Sequence, residues 1–349
     1  MEKIKIFITY KDKHRIIKTN IINPIQTGRA IADEVFQDMI GDDTGDNISE
    51  KNPRYNELSG QYWVWKNFDE IGNPDYIGFM HYRRHFIFDK SFNLKNKKPW
   101  FLGINVFKTD YFDRECERNL ADKNILQSIE GDIDCIAIKP YDIQYFDSND
   151  LYMKEHYIAT IAGSKRIIWN IFYNTILKLY PEYSEILDKF SYGSIINVCN
   201  MFIMKKELFF NYCEFCFNIL EEVDRQIIHK DFSTQELRYC GYLGEYLLTM
   251  YIMKLQQENH KLKFLDAVLI MNDNPQKEKR RRLRKLFHKI FGIEKTITHK
   301  KIKIFGITFK FNAPNTKILL HKLIEQDRLL NALYTKVSEL QEELILKKH

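Results

Sequence analysis

The sequence predicts an α/β fold with a mainly parallel sheet. Two observations carry this. Short apolar runs of four to seven residues recur along the chain, each bounded by Gly, Pro, Asn or Asp. Between them lie longer stretches whose apolar residues return at helical spacing. Strands alternating with helices favour parallel pairing through crossover connections.

The elements follow in order. Residues 3–9 alternate lysine with apolar side chains and read as a first strand rather than a signal peptide. A short helix is expected over Arg29–Met39. After Asn52-Pro53, the residues Leu58, Tyr62, Trp65 and Phe68 keep helical spacing, and Gly72-Asn73-Pro74 ends that helix. Tyr76–Met80 reads as a buried strand leading into a loop, His81-Tyr82-Arg83-Arg84. A helix is expected near Arg114–Leu126, a strand over Asp134–Lys139 stopped by Pro140, and helices across about 150–190. Asn197–Met204 supplies another strand, followed by an amphipathic helix to about Val223. A further helix opens near Gly244 and runs to Glu258, and Leu262–Met271 closes the sheet.

The chain is expected to divide into three parts: an α/β domain over 1–274, a basic amphipathic segment over 275–312 and a C-terminal helix over 313–349. Residues 277–303 hold 12 Lys/Arg against 2 Asp/Glu, a local charge of +10 in a chain whose total is +6. Such a stretch is a surface address for something anionic. Arg280–Phe291 sets Leu283, Leu286, Phe287, Ile290 and Phe291 on one helical stripe, and Lys301–Phe311 suits a hairpin turning near Gly306. Leu323, Leu330, Val337 and Leu344 repeat every seven residues, a short coiled-coil seam over 318–344 that would support self-association. No window approaches 18 consecutive apolar residues, so no transmembrane helix is expected. The six cysteines lack zinc-ligand spacing and read as reduced and buried, as in a cytoplasmic protein.

Polar and aromatic groups are densest between Gly41 and Phe86. Asp42, Asp43 and Asp46 suit either a capped, solvated turn or a loop at the mouth of a site; an EF-hand is excluded because the glutamate it needs at its twelfth position is missing. Tyr62, Trp63 and Trp65 suit core packing better than a sugar platform. His81, Arg83, Arg84 and His85 follow a buried strand, where open α/β sheets bind ligands. The two arginines suit either salt bridges to the aspartates or a diphosphate. Glu245, after Gly241 and Gly244, reads as opening a helix, where its charged form is favoured. It is either a cap or a catalytic base to which the glycines admit an acceptor.

Three blocks carry a family resemblance: Gly41-Asp42-Asp43-Thr44-Gly45-Asp46-Asn47-Ile48-Ser49 with the Asn-Pro, Glu-Leu and Tyr-Trp-x-Trp-Lys-Asn up to Asn67; Tyr76–Arg84; and Asn200–Lys206 with Gly241–Glu245. They resemble a bacterial family of capsular and O-antigen polysaccharide glycosyltransferases, catalogued as a domain of unknown function. Over residues 3–270 the resemblance implies a GT-A-like Rossmann-type fold and sugar transfer from a nucleotide donor, with UDP-galactose, pyranose or furanose, favoured. It implies Glu245, Arg83 and Arg84 as catalytic residues. Donor contacts fall to Thr9, Asp42, Asp43, Asp46, Asn47, Asn52, Glu57, His81 and Tyr82. Acceptor or sugar contacts fall to His156, Asn200, Met201 and Gly244. Such folds place an Asp-x-Asp metal motif where this chain has His81-Tyr82-Arg83-Arg84, so no metal ligand is assigned, although manganese or magnesium stays compatible with the aspartates. Tyr246 stands where the family tends to carry arginine. The acceptor would be a lipid-linked glycan at the cytoplasmic face of the inner membrane, whose anionic surface 277–311 would contact. Two other readings are a noncatalytic glycan-binding module, which would not need paired arginines, and a nucleic-acid-binding protein. Residues 1–270 carry no nucleic-acid motif, so no nucleic-acid partner is expected.

Overall fold

The computed structural model describes residues 3–145 apart from Asn96 and Leu102, residues 152–160 and 166–272, and the strands within 291–312. The chain forms two compact units, Met1–Pro275 and Gln276–His349.

The first unit is built on a ten-stranded sheet with the path β11-β7-β10-β4-β1-β2-β3. Its central strand β1 (Ile4–Tyr10) is buried at every residue but Lys5, the pattern of a strand covered on both faces. It pairs in parallel with β2 (Ile22–Gln26) on one side and β4 (Tyr76–His81) on the other. β3 (Ile40–Gly41) extends the β2 side. Beyond β4 come β10 (Phe202–Lys205), antiparallel to both neighbours, then β7 (Cys135–Ile138) and β11 (Leu262–Leu265). The chain therefore leaves β1 in one direction for β2 and β3, then returns to its other side for β4. That reversal is a topological switch point, and it opens a crevice beyond the C-terminal ends of β1 and β4.

Strand β4 turns back at once through Tyr82-Arg83 into β5 (Arg84–Phe86), with His81 paired to Arg84. The expected loop is a tight hairpin. β12 (Ala267–Asn272) holds it by pairing with β5, and β6 (Val106–Tyr111) pairs with β12 on the other side.

The helices cover the faces: α1 (Asn52–Tyr55), α2 (Leu58–Lys66), α3 (Arg114–Asn119), α4 (Asp122–Ile129), α5 (Met153–Thr160), α6 (Arg166–Leu179), α7 (Ser184–Ser191), α8 (Lys206–Gln226) and α9 (Tyr239–Gln257). In α8, Leu208, Phe209, Tyr212, Cys213, Cys216, Ile219, Leu220 and Val223 are buried at the spacing of one helical face. Each large apolar side chain so buried contributes about 1.5–3 kcal/mol. Trp65 stacks on Phe217 of that helix at 5.6 Å and Tyr62 meets it edge-on at 5.1 Å, so these aromatics are packing groups. All six cysteines are free and buried.

Three expectations about helices are corrected, and one strand that the sequence reading lacked is added. Arg29–Met39 is not a helix beyond a single 3-10 turn at Arg29–Ile31. Neighbouring side chains satisfy its backbone instead: Ser49 Oγ accepts from Ala30 N, and the Gln26 amide accepts from Phe36 N and donates to Glu34 O. Strand β2 escapes a sequence reading because Pro24 sits inside it. β3 reaches only Ile25 and Gln26, so at Pro24 β2 is the sheet edge, where a missing N–H is tolerated. The helix after Pro53 is broken at Asn56, whose φ is 51°. Helix α9 begins at Tyr239 rather than near Gly244.

In the second unit, β13 (Phe291–Lys295), β14 (His299–Ile304) and β15 (Ile307–Asn312) form an antiparallel meander. The expected hairpin is present, and Phe291 opens a strand rather than closing a helix. The rest of the 280–291 stripe and the helix with its seam at 318–344 lie outside the described residues. Among the described residues no helix is long and apolar enough to cross a membrane.

Candidate active site

Two cavities open at the switch point. One, of about 460 Å³, is polar and lined by Thr9, Lys11 and Asp12 from the end of β1 and by Asn52, Tyr82 and Arg83. The other, of about 480 Å³, is aromatic, lined by Trp100, Phe101, Tyr141, Tyr242 and Tyr246 together with His156 and Glu245. Glu57, His81, Arg84, Gln235 and Arg238 line both, so they form the wall between them.

The hairpin explains the placement of its cations. His81 and Arg84 are cross-strand partners, so their side chains share one face at the shared wall. Arg84 lies 4.7 Å over the Trp100 ring, and Arg83 lies 5.1 Å over Tyr82. Tyr82 is itself stacked on His14 at 3.9 Å. Among the described residues neither arginine forms an ion pair; Asp43 is paired with Arg29 instead, at 3.7 Å. Burial, followed by the charges of Arg84 and Arg83, pushes the His81 pKa well below the usual imidazole value. His81 is therefore neutral near pH 7 and can accept a hydrogen bond.

Glu245 faces the aromatic cavity from the second turn of α9. It is not at a helix N-terminus, and the expected stabilisation of its charged form is overturned: burial, then the nearby Glu57 carboxylate, push its pKa up to about 7. A hydrogen bond donated by Cys199 N to Glu245 Oε1 at 2.9 Å opposes this, followed by the charges of Arg84 and Arg238. That N–H is delivered by a tight bend in which Cys199 and Asn200 take φ values of 79° and 46°, a left-handed conformation unusual for two consecutive non-glycine residues. Asn200 then donates to Glu57 Oε1 at 2.8 Å and to Gly241 O at 3.1 Å. One bend thus positions both carboxylates.

The glycines before Glu245 serve packing rather than an acceptor. A Cβ at Gly241 would lie 2.3 Å from Asn56 Nδ2, and one at Gly244 would lie 2.7 Å from the Leu58 side chain. They let α9 approach the α1–α2 junction closely, which brings Glu57 towards Glu245. Asn56 in turn accepts from Arg238 Nε at 3.1 Å.

Several expected contacts are not brought to the site. Asp42 is fully buried, and its carboxylate accepts from Gly28 N (2.9 Å), Arg29 N (3.0 Å), Ser49 Oγ (2.6 Å) and Ser59 Oγ (2.7 Å). No lone pair is left for a donor. Asp46 accepts from the Tyr62 hydroxyl at 3.1 Å, and Asn47 bonds within its own turn. None of Asp42, Asp43, Asp46 and Asn47 lines either cavity. Asn52 does, but both its amide hydrogens are committed to Asn56 O and Ser59 Oγ. Met201 belongs to the core at 1% exposure, Gly244 packs on Leu58, and Asn200 acts through Glu57. Thr9, Glu57, His81, Tyr82, Arg83, Arg84, His156 and Glu245 are brought together.

Sequence reasoning missed Lys11, Asp12, Gln235, Arg238 and Tyr242. Arg238 matters most, as a second guanidinium at the shared wall beside Arg84, with no ion pair among the described residues. Reading the glycines as helix-start signals put the start of α9 too late and left Arg238 in an unassigned loop. Among the described residues no group of three or more His, Cys, Asp or Glu side chains is arranged to hold a metal ion.

No curated protein matches the chain. Among solved structures it is similar to the apo structure of the bifunctional glycosyltransferase WbbM, with 32% identity and a TM-score of 0.69, over 78% of this chain. The match spans 46% of that protein's chain. A family model described as a domain of unknown function (DUF4422) matches residues 5–258. With the match running through most of the chain, the protein belongs to that family.

Proposed function

We propose that the protein is a glycosyltransferase that moves a hexose, with galactose or galactofuranose favoured, from a UDP-sugar to a growing lipid-linked capsule or lipopolysaccharide glycan. The observation that carries the reading is the shared wall. There Arg84, Arg238 and neutral His81 stand beside Glu57, with Arg83 on the polar side and Glu245 on the aromatic side, and among the described residues none of the three arginines forms an ion pair. The likeness to a bifunctional glycosyltransferase supports it.

In this reading the nucleotide diphosphate occupies the polar cavity and the acceptor the aromatic one. The Glu245 carboxylate takes the proton from the acceptor hydroxyl, whose oxygen attacks the anomeric carbon in a direct displacement. The bond to the diphosphate breaks, its electron pair stays on the departing phosphate oxygen, and Arg83 and Arg84 stabilise that charge. A carboxyl with a pKa of about 7 is matched to this task, since it is partly ionised at neutral pH yet basic enough to accept a proton. His81 accepts from a sugar hydroxyl. Tyr246, where the resemblance expects arginine, gives the acceptor cavity an aromatic wall instead of a fixed charge.

The guanidinium groups take over, wholly or in part, the charge neutralisation that a divalent metal gives in related folds. Turnover should therefore survive chelator; abolition by chelator with rescue by manganese would sink this point. Register in the second unit supports contact with an anionic leaflet. It aligns Glu294, Lys301 and Lys310 in one row of the ladder and Ile293, Ile302 and Phe309 in the next, so cationic and apolar positions alternate along the strands.

The test is release of UDP and sugar by purified protein across a panel of nucleotide sugars, begun with UDP-galactose. Donor turnover supports the reading, and its absence for every donor, with or without acceptor glycan, contradicts it.

A further inference from the structure

Arg238 lines both cavities, and the protein supplies it with a dedicated support. Its Nε donates to Asn56 Oδ1 at 3.1 Å. Tyr242, four residues on, sets its ring 5.3 Å from the guanidinium carbon. Among the described residues the two terminal nitrogens have no hydrogen-bond partner and the group forms no ion pair. Its charge reaches both sides of the wall. After burial it is among the cations that lower the His81 pKa, and it opposes the burial that raises that of Glu245.

The support is strained and firmly held. Asn56 takes a φ of 51°, a conformation that residues with a side chain rarely adopt. Its backbone is clamped: the N–H donates to Asn52 O at 2.7 Å, and the carbonyl accepts from Asn52 Nδ2 at 2.7 Å and Ser59 N at 3.2 Å. Its amide has one orientation, because Nδ2 donates to Arg54 O at 3.3 Å and so turns Oδ1 towards Arg238. The chain is also pinned immediately after Arg238. The Tyr239 hydroxyl donates to Asp224, which pairs with Arg54 at 2.8 Å. These contacts fix the guanidinium rather than the helix alone.

An arginine held at Nε keeps a planar pair of nitrogens for a second partner, a fork that fits two oxygens of a phosphate. The polar cavity favours such an anion. Lys11, Arg83, Arg84 and Arg238 line it against the carboxylates of Asp12 and Glu57.

We infer that Arg238 is a phosphate-binding residue of the polar cavity and that Asn56 is the residue that positions it. The inference rests on the reading of that cavity as the diphosphate site, but the binding it requires is measured apart from turnover.

The probes are UDP and uridine, titrated into the full chain by ligand-observed NMR. Wild type should bind UDP more tightly than uridine. Arg238→Ala should weaken UDP by about tenfold and leave uridine unchanged, because the loss belongs to the phosphates. Asn56→Gly should weaken UDP roughly threefold with a melting temperature close to wild type, since glycine adopts this φ without strain. A purely structural asparagine would not give that pairing. The double variant should bind UDP no more weakly than Arg238→Ala alone, because Asn56 acts through the arginine. Additive losses, an equal loss for uridine, or unchanged UDP affinity in Arg238→Ala would overturn the inference. Turnover of nucleotide sugars on the same samples separates the two ideas. If no donor turns over while UDP binding depends on Arg238, the transferase reading fails and the phosphate site stands. If donors turn over while Arg238→Ala binds UDP as wild type does, the reverse holds.

Discussion

Two stretches of the N-terminal half concentrate polar groups and put them to different uses. Between Gly41 and Asn67, Glu57 reaches the cavities, but the aspartates and most asparagines are consumed by the protein itself: Asp42 accepts four hydrogen bonds, Asp46 and Asn67 close a loop, and Asn52 ties Asn56 to Ser59. Between Tyr76 and Phe86, a hairpin places His81, Arg83 and Arg84 on the walls of two cavities, and among the described residues neither arginine is in an ion pair although Glu57 and Glu245 line the same space. Polar density alone does not distinguish a scaffold from a site. What distinguishes them is whether the groups are already satisfied, since unsatisfied charge persists only where something else is to be bound.

Substitutions sharpen that contrast, and the largest effect is expected at Glu245. Glu245→Gln should lower kcat by about a hundredfold to ten-thousandfold, the range for loss of a general base. Wild-type activity should rise with pH through about 7 as the carboxylate ionises, and the variant should lose that limb. The stability sign is the reverse. The raised pKa means that the fold favours the protonated form, so the contribution is complete below the ordinary value of 4.5 and lost as pH rises through about 7. Glu245→Gln should therefore unfold at higher temperature than wild type at pH 8 and show less advantage at pH 5, as read by thermal melts.

Arg84→Ala comes next, with a loss of about a hundredfold to a thousandfold in turnover and a melting temperature close to wild type. Arg83→Ala should follow it in direction. Activity that survives both changes would show that the cations serve something other than the leaving group. Asp42→Ala should do the opposite, destabilising by about 3–5 kcal/mol by denaturant unfolding because two serine hydroxyls and two N–H groups lose a buried charged partner. Activity per folded molecule should change little. Asp46→Ala should be smallest, below about 1 kcal/mol, since its bond to Tyr62 is exposed. If Asp46→Ala instead weakened donor binding, the division between the two stretches would be wrong.

The sheet's centre was legible because β1 alternates lysine with apolar residues at its start and β4 opens as the apolar run Tyr76–Met80. So were the hairpin's cations, because a cluster of charge at a strand end has few structural uses. The interior of the Gly41–Asn67 block was not, because a capping aspartate and a ligand-binding one share the same sequence signature until their partners are known. Arg238 and the true start of α9 were hidden for a related reason: glycines that permit close packing look like glycines that punctuate. The raised pKa of Glu245 depends on burial and on Glu57, far away in sequence, and no local pattern encodes it.

The most direct measurement is calorimetric titration of UDP into wild type, the Arg83→Ala/Arg84→Ala double variant and Asp42→Ala. The account predicts that the double variant binds at least about tenfold more weakly while folded Asp42→Ala binds as wild type does. Unchanged affinity in the double variant, or an equal loss in Asp42→Ala, would contradict it.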